Sequence, residues 1–286
     1  MPTGPHEFTT QDVAYLRHGD RALMARLLIP RSDGPFAAVV DLHGGAWTGG
    51  DLAECKDRDA ALARSGFVVA ALNFRHAGDG YPTSLADINY GIRWLKAQAR
   101  EFHVDPGRIG ICGQSSGGHL AMLAAMRPND LRYAAIPLHE AAAAGLDASV
   151  RCVAMAWPVI NPLSRYRYAR RLRDSAEPPA WAVPMPEKHE LYWKSEANMA
   201  EGNPMLALER AEAVLTPPAL WVQGRPDNIH DYRDPDSPIP GNEPERFAAN
   251  YRKAGGEIEV RYIDQAARAT AASFEPIAAF FRKHLD

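Results

Sequence analysis

Arg108-Ile109-Gly110-Ile111-Cys112-Gly113-Gln114-Ser115-Ser116-Gly117-Gly118-His119 reads as a short apolar strand that breaks at a glycine-flanked serine and passes into a helical pattern from His119 to Met126. A Gly-x-Ser-x-Gly match alone says little. With a strand before it and a helix after it, the serine sits on a tight turn with its hydroxyl clear of the sheet. Such a turn strains the serine backbone and needs small neighbours on both sides, which Gly113 and Gly117 supply. The N–H groups opening the helix then face negative charge developing beside the serine oxygen. Ser115 is the candidate nucleophile and the Ser116 N–H a candidate oxyanion donor. A Gly/Ser turn without chemistry is the alternative.

Upstream, the apolar run Phe36 to Leu42 ends in His43-Gly44-Gly45-Ala46-Trp47. A glycine pair at that strand end leaves its N–H groups unshielded, so Gly44 and Gly45 are the other candidate oxyanion donors. His43 reads as a residue tying the loop together rather than as a base. Trp47 reads as a wall of the substrate pocket, with plain packing as the competing reading. Further outward, Val13 to Arg17 and Leu23 to Ile29 form a hairpin pattern, and Phe67 to Asn73, Val150 to Ala156, Ala219 to Val222 and Ile258 to Ile263 are further strand candidates. Helical patterns lie between them. One runs over Ser84 to Arg100, where Ser84 and Asp87 have capping-box spacing, and another over Phe274 to Leu285. This alternation predicts a mostly parallel eight-stranded sheet with helices on both faces.

Together, His43-Gly44-Gly45-Ala46-Trp47, Gly49-Gly50-Asp51, Asn73-Phe74-Arg75, Tyr81-Pro82 and Gly113-Gln114-Ser115-Ser116-Gly117-Gly118-His119-Leu120-Ala121 resemble the hormone-sensitive-lipase-like and related carboxylesterases, which are α/β-hydrolases. The resemblance runs from about Val39 to Met126 and resumes at Pro217 to Gly224. It implies ester hydrolysis by a Ser, Asp, His triad without a cofactor, and it makes His119 a helix residue of the motif rather than the base. It also maps Gly224-Arg225-Pro226-Asp227 onto the family's Gly-x-x-Asp, so Asp227 is the expected acid and Asp231 its substitute.

The base does not map. Relatives place it after the eighth strand, where this chain has Asp264-Gln265-Ala266-Ala267-Arg268-Ala269-Thr270. An arginine there cannot act as a base, because it does not deprotonate in proteins. Chain order puts the base after the acid, which leaves His230 and His284. His284 closes the last helix, roughly 15 Å below the active edge at about 1.5 Å per residue. His230 lies three residues past Asp227 and is the proposed base, with a solvent-facing loop histidine as the alternative. His76 and His139 are weaker candidates.

The two segments that break the alternation are about 161–203, read as a cap inserted in a single domain spanning 1–286, and the Asp- and Pro-rich loop from Asn228 to Asn242. In the former, Arg165, Arg167, Arg170, Arg171 and Arg173 with Tyr166 and Tyr168 suit either a carboxylate or aromatic ligand or a solvated helix face. Trp47, Trp157, Trp181 and Trp193 suggest an aromatic pocket.

Across 286 residues the chain is 46% hydrophobic and 23% charged with a net charge of -3, which suits a small-molecule substrate and gives no field for nucleic acid or an acidic membrane. Cys55, Cys112 and Cys152 are odd in number and lie in apolar segments, as free thiols in a reducing compartment would. No metal-binding spacing occurs, the first residues lack a leader pattern, and a cytoplasmic location is the expectation. Relatives of this kind associate through the last strand and helix, so homo-oligomerisation stays open. Three functions compete: a carboxylesterase, a lactonase or aryl-formamide hydrolase, and a silent ligand-binding homologue lacking the base.

Overall fold

Val39 and Val69 pack on one side of the sheet and Val40 and Ala70 on the other, and all four are fully shielded from solvent. Strands apolar on both faces need helices on both faces. The computed structural model describes residues 6–138 and 145–286, and His139 lies outside them. The strands are β1 (Phe8–His18), β2 (Arg21–Pro30), β3 (Phe36–Leu42), β4 (Val68–Leu72), β5 (Val104–Gln114), β6 (Val153–Ala156), β7 (Ala219–Arg225) and β8 (Ile258–Asp264). They form one eight-stranded sheet in the order β1-β2-β4-β3-β5-β6-β7-β8. Only the β1–β2 and β2–β4 pairs are antiparallel.

Leu62 of α1 (Lys56–Arg64) and Ile277 and Phe281 of α9 (Ala271–Leu285) cover one face. The other is covered by Leu85, Ile88 and Ile92 of α2 (Thr83–Ala97), Leu120 of α3 (Ser116–Met126) and Phe247 of α8 (Glu243–Lys253). Between β6 and β7 lie α4 (Pro162–Arg173), α5 (Met185–Trp193), α6 (Glu196–Glu201) and α7 (Pro204–Glu209). The side chain of Asn161 caps α4 by accepting from Ser164 N, and Asn203 Nδ2 donates to the same Asn161 oxygen at 2.8 Å, joining the two ends of that segment.

The capping box expected at Ser84 and Asp87 does not form. Pro82 is the N-cap of α2 and offers no side-chain bond. Ser84 Oγ donates instead to the Arg75 carbonyl, and the buried Asp87 carboxylate accepts from Arg75 N and Arg75 Nη2, both at 2.8 Å, and from His18 Nε2 at 2.9 Å. A buried carboxylate gains more from a guanidinium than from one helix N–H, so the long-range pair wins.

The turn at the end of β5 holds Ser115 at φ 52° and ψ -120°. Its N–H donates to Ala156 O at 3.0 Å, and Ser115 O accepts from His119 N and Val159 N, each at 3.1 Å. The turn also presses Gly117 against the end of β3, where a β-carbon would collide with the carbonyl oxygens of Leu42 and His43. On the opposite face Arg58 pairs with Asp41 at 2.5 Å and donates to Gln114 Oε1 at 3.2 Å, steadying the residue before the serine. Gly117→Ala is expected to destabilise the fold by about 2–3 kcal/mol, a melting-temperature drop of roughly 5–10 °C. Gly49→Ala, whose β-carbon would meet nothing within 4 Å, serves as the control and should stay near neutral; thermal unfolding followed by circular dichroism compares the two.

Candidate active site

Ser115 Oγ lies 3.1 Å from His230 Nε2, and His230 Nδ1 lies 2.9 Å from Asp227 Oδ2. The serine comes from the β5–α3 turn, and the other two residues from the loop after β7. Asp227 can orient His230 from only three residues away because the same carboxylate caps the turn between them: Oδ1 accepts from Ile229 N at 2.9 Å and from His230 N at 3.2 Å. Gln223 Nε2 donates to Oδ2 at 3.1 Å. Burial alone would raise the Asp227 pKa, but the bond to His230, its charge, the Ile229 N–H and Arg268 bring it down to about 2. With Asp227 ionised, the ring carries its proton on Nδ1 and presents a bare Nε2 to the serine hydroxyl. Burial lowers the His230 pKa, Asp227 works against this, and the cations of Arg165 and Arg268 add to it, leaving it at about 4.

The structure places the other candidates elsewhere. Asp231 pairs with Arg225 at 2.5 Å and accepts from Asn242 at 2.8 Å. His284 packs on Phe280, with 4.6 Å between ring centroids, and His76 stands edge-on to His43. Among the described residues, the imidazole bonded to Ser115 is that of His230.

The loop after β3 passes beside the nucleophile: a β-carbon on Gly44 would stand 3.4 Å from Ser115 Cβ. Gly45 adopts φ 105° where the loop doubles back on Gly49, which a side chain would strike. His43 stacks on Phe74 at 4.3 Å and its Nδ1 donates to Gly44 O at 2.9 Å, a loop-fastening role. Trp47, expected as a pocket wall, is packed inside instead, only 2% exposed. The cause is a polar partner in the interior: Trp47 Nε1 donates to His119 Nδ1 at 3.2 Å, and His119 Nε2 donates to Gly202 O at 2.7 Å. This relay ties the loop after β3 to α3 and to the residues between α6 and α7. Trp193 packs against both Trp47 and His119.

The arginine-rich helix α4 divides in two. Arg167 and Arg171 hold surface carboxylates, Glu196 at 2.6 Å and Asp236 at 2.9 Å. Arg165 is buried, its guanidinium 4.8 Å from the Trp181 ring centroid, and its Nη1 donates to Ile229 O at 2.6 Å, beside His230. Tyr232 Oη donates to Ser164 Oγ at 3.2 Å, and Arg246 pairs with Asp234 at 3.0 Å. The long loop is thus fastened to α4 and α8.

The family model described as BD-FAE matches residues 27–167. A probable carboxylic ester hydrolase of Mycobacterium tuberculosis, LipM, is 30% identical over 201 residues, covering 68% of this chain and 42% of that protein. The ethyl acetate hydrolase of Pseudomonas putida is 32% identical over 131 residues, covering 44% of this chain and 41% of that protein. The match thus spans less than half the length of each of these relatives. Among solved structures, the metagenomic carboxylesterase EstE1 superposes with a TM-score of 0.71 at 21% identity, covering 99% of this chain and 91% of that one. A bacterial heroin esterase gives 0.72 at 19% identity, covering 98% and 85%. The chain has the α/β-hydrolase fold and is similar in sequence to carboxylic ester hydrolases.

In this α/β-hydrolase the loop after β8 brings Arg268, not a histidine, to the acid: its Nη1 lies 3.5 Å from Asp227 Oδ2 and its guanidinium covers the Trp157 ring at 4.2 Å. Gln223 and the loop-anchoring role of Arg165 escaped the sequence reading. Neither carries a motif, and the strand expected from the sequence ended at Val222, one residue short of Gln223.

His119, His189 and His230 are buried, which holds their pKa values at about 4, 3 and 4. Unfolded, each titrates near 6.5, so the unfolded chain binds more protons below that pH. Stability is complete above about pH 6.5 and is lost as pH falls toward 4, by roughly 2 kcal/mol per histidine at pH 5. Calorimetry should show the melting temperature falling steeply between pH 6.5 and 5; a flat profile would mean that these rings accept protons inside the fold.

Proposed function

We propose that this chain hydrolyses small carboxylic esters through an acyl-enzyme on Ser115. The observation that carries the reading is the unbroken line from Ser115 Oγ through the His230 ring to Asp227, with contacts of 3.1 and 2.9 Å. His230 Nε2 takes the hydroxyl proton as Oγ attacks the ester carbonyl, and Asp227 stabilises the imidazolium that results. The N–H groups of Gly44, Gly45 and Ser116 receive the oxyanion. His230 then protonates the departing alkoxide, and a water activated by the same ring attacks the acyl-enzyme to release the acid and restore Ser115. The esterases among its relatives support this reading. The silent-binder alternative rested on an absent base, and an imidazole within hydrogen-bond reach of the serine weighs against it. Three buried free thiols suit a reducing compartment, and we assign the protein to the cytoplasm.

A fluorophosphonate probe should label the native protein at Ser115, and Ser115→Ala should abolish labelling. His230→Ala should lower kcat/KM on 4-nitrophenyl acetate by about 10²–10⁴; activity within a few fold of the parent would overturn the assignment of the base. Because a base must be neutral to act and this one is held at about 4, kcat/KM in brief assays should stay level down through pH 6 and fall only as pH approaches the low value. An acid limb centred near 6.5 would show His230 unperturbed in the free enzyme.

A further inference from the structure

The charges around the catalytic pair do not balance. Two guanidinium groups approach it from separate elements, Arg165 of α4 through Ile229 O and Arg268 after β8 through Asp227 Oδ2. One carboxylate, Asp227, faces both. Its Oδ2 already accepts from His230 and Gln223, so the contact from Arg268 is long, at 3.5 Å. Among the described residues Arg165 has no carboxylate partner, and its buried Nε makes no hydrogen bond. The neighbouring acids are already paired, Asp231 with Arg225, Asp234 with Arg246 and Asp236 with Arg171. With His230 neutral, two cations stand against one anion.

Arg268 is the accessible member of this pair. Its side chain is 24% exposed, whereas Arg165 is 4% exposed and enclosed by Trp181. The Arg268 guanidinium carbon stands over the Trp157 ring, 4.2 Å from its centroid. Trp157 follows Ala156, whose carbonyl holds the N–H of Ser115. A guanidinium has five donors, and the one long contact to Asp227 leaves the others free on a side chain that reaches the acid of the catalytic pair.

We propose that Arg268 forms a carboxylate-binding subsite and that the substrate is an ester bearing a second, free carboxylate. The inference rests on the esterase reading above and deepens it to a substrate class. The contact with the indole restrains the Arg268 side chain, and the planar fork of a guanidinium suits two parallel bonds to a carboxylate. The uncompensated positive charge draws an anion to the serine and disfavours a neutral ester only by failing to bind it. A bound carboxylate also eases the chemistry. When His230 takes the serine proton it becomes a third cation beside Arg165 and Arg268, and an anion on Arg268 offsets that repulsion.

Two ester pairs test this, each an anion and its neutral counterpart: 4-acetoxybenzoate with its methyl ester, which puts the charge on the leaving group, and monoethyl succinate with ethyl butyrate, which puts it on the acyl side. Binding to Ser115→Ala by titration calorimetry, and kcat/KM of the parent enzyme, are measured for all four. The anion of at least one pair should bind at least about tenfold tighter, equivalent to roughly 1.4 kcal/mol, and be turned over with the same preference. Arg268→Gln should bring the anion-to-neutral ratio close to one, and Arg268→Lys should keep part of it. Equal binding within both pairs, or a preference that survives Arg268→Gln, overturns the proposal, and the first of these needs no Arg268 variant to fold. Turnover of the neutral esters without anion preference would leave the esterase reading standing and this inference fallen. Anion preference in Ser115→Ala without turnover by the parent would overturn the esterase reading and the ester substrate with it, leaving only the carboxylate-binding subsite at Arg268.

Discussion

The backbone of Ser115 sits at φ 52°, a conformation an L-residue rarely adopts, and the rest of the site is arranged around keeping it there. The N–H donates sideways to Ala156 at the end of β6, and the serine carbonyl closes the first turn of α3 and accepts from Val159. From the β3 side, the carbonyls of Leu42 and His43 press so close to Gly117 that no side chain fits. Three adjacent strands, β3, β5 and β6, therefore converge on one strained residue. The parallel register that pairs Leu42 with Gly113 and Gln114 with Ala156 puts their ends at the same level. The loop carrying Gly44 leaves β3 at that level, so the candidate oxyanion donors and the serine are brought together by the sheet itself.

The acid and the base share one loop. A carboxylate that accepts the N–H groups of Ile229 and His230 builds the turn that aims the His230 ring, so one side chain shapes the local backbone and orients the imidazole. Such a turn fixes the ring relative to Asp227 but not relative to the sheet. The long loop gains its place from α4 and α8, where Arg165, Ser164 and Arg246 hold it. The segment between β6 and β7 thus anchors the base as well as lying beside the site.

Burial has opposite consequences for the charged and neutral groups of this centre. Desolvation keeps His119, His189 and His230 neutral, which suits a hydrogen-bond relay and a base. The same desolvation makes the unpaired guanidinium of Arg165 costly, and that cost is met in part by the Trp181 face and the Ile229 carbonyl.

The sequence by itself determined the sheet, its helices and the serine turn, because these depend on local pattern: apolar periodicity, and glycines at positions where nearby backbone leaves no room for a side chain. It also singled out Asp227 and His230, since chain order and a spacing of three residues are visible without coordinates. Only the tertiary structure decided what depends on partners distant in sequence. Asp87 left its capping position for Arg75, and Trp47 turned inward because His119, 72 residues away, offers an acceptor. Arg165 separated from the other arginines of α4 because it alone meets the carbonyl of Ile229 and the Trp181 ring. Arg268 came to face Asp227 because β8 lies in register beside β7, pairing Asp264 with Arg225. A side chain's own pattern specifies which face it takes, but the charge or donor it meets there is supplied by another part of the chain, and folding alone brings the two together.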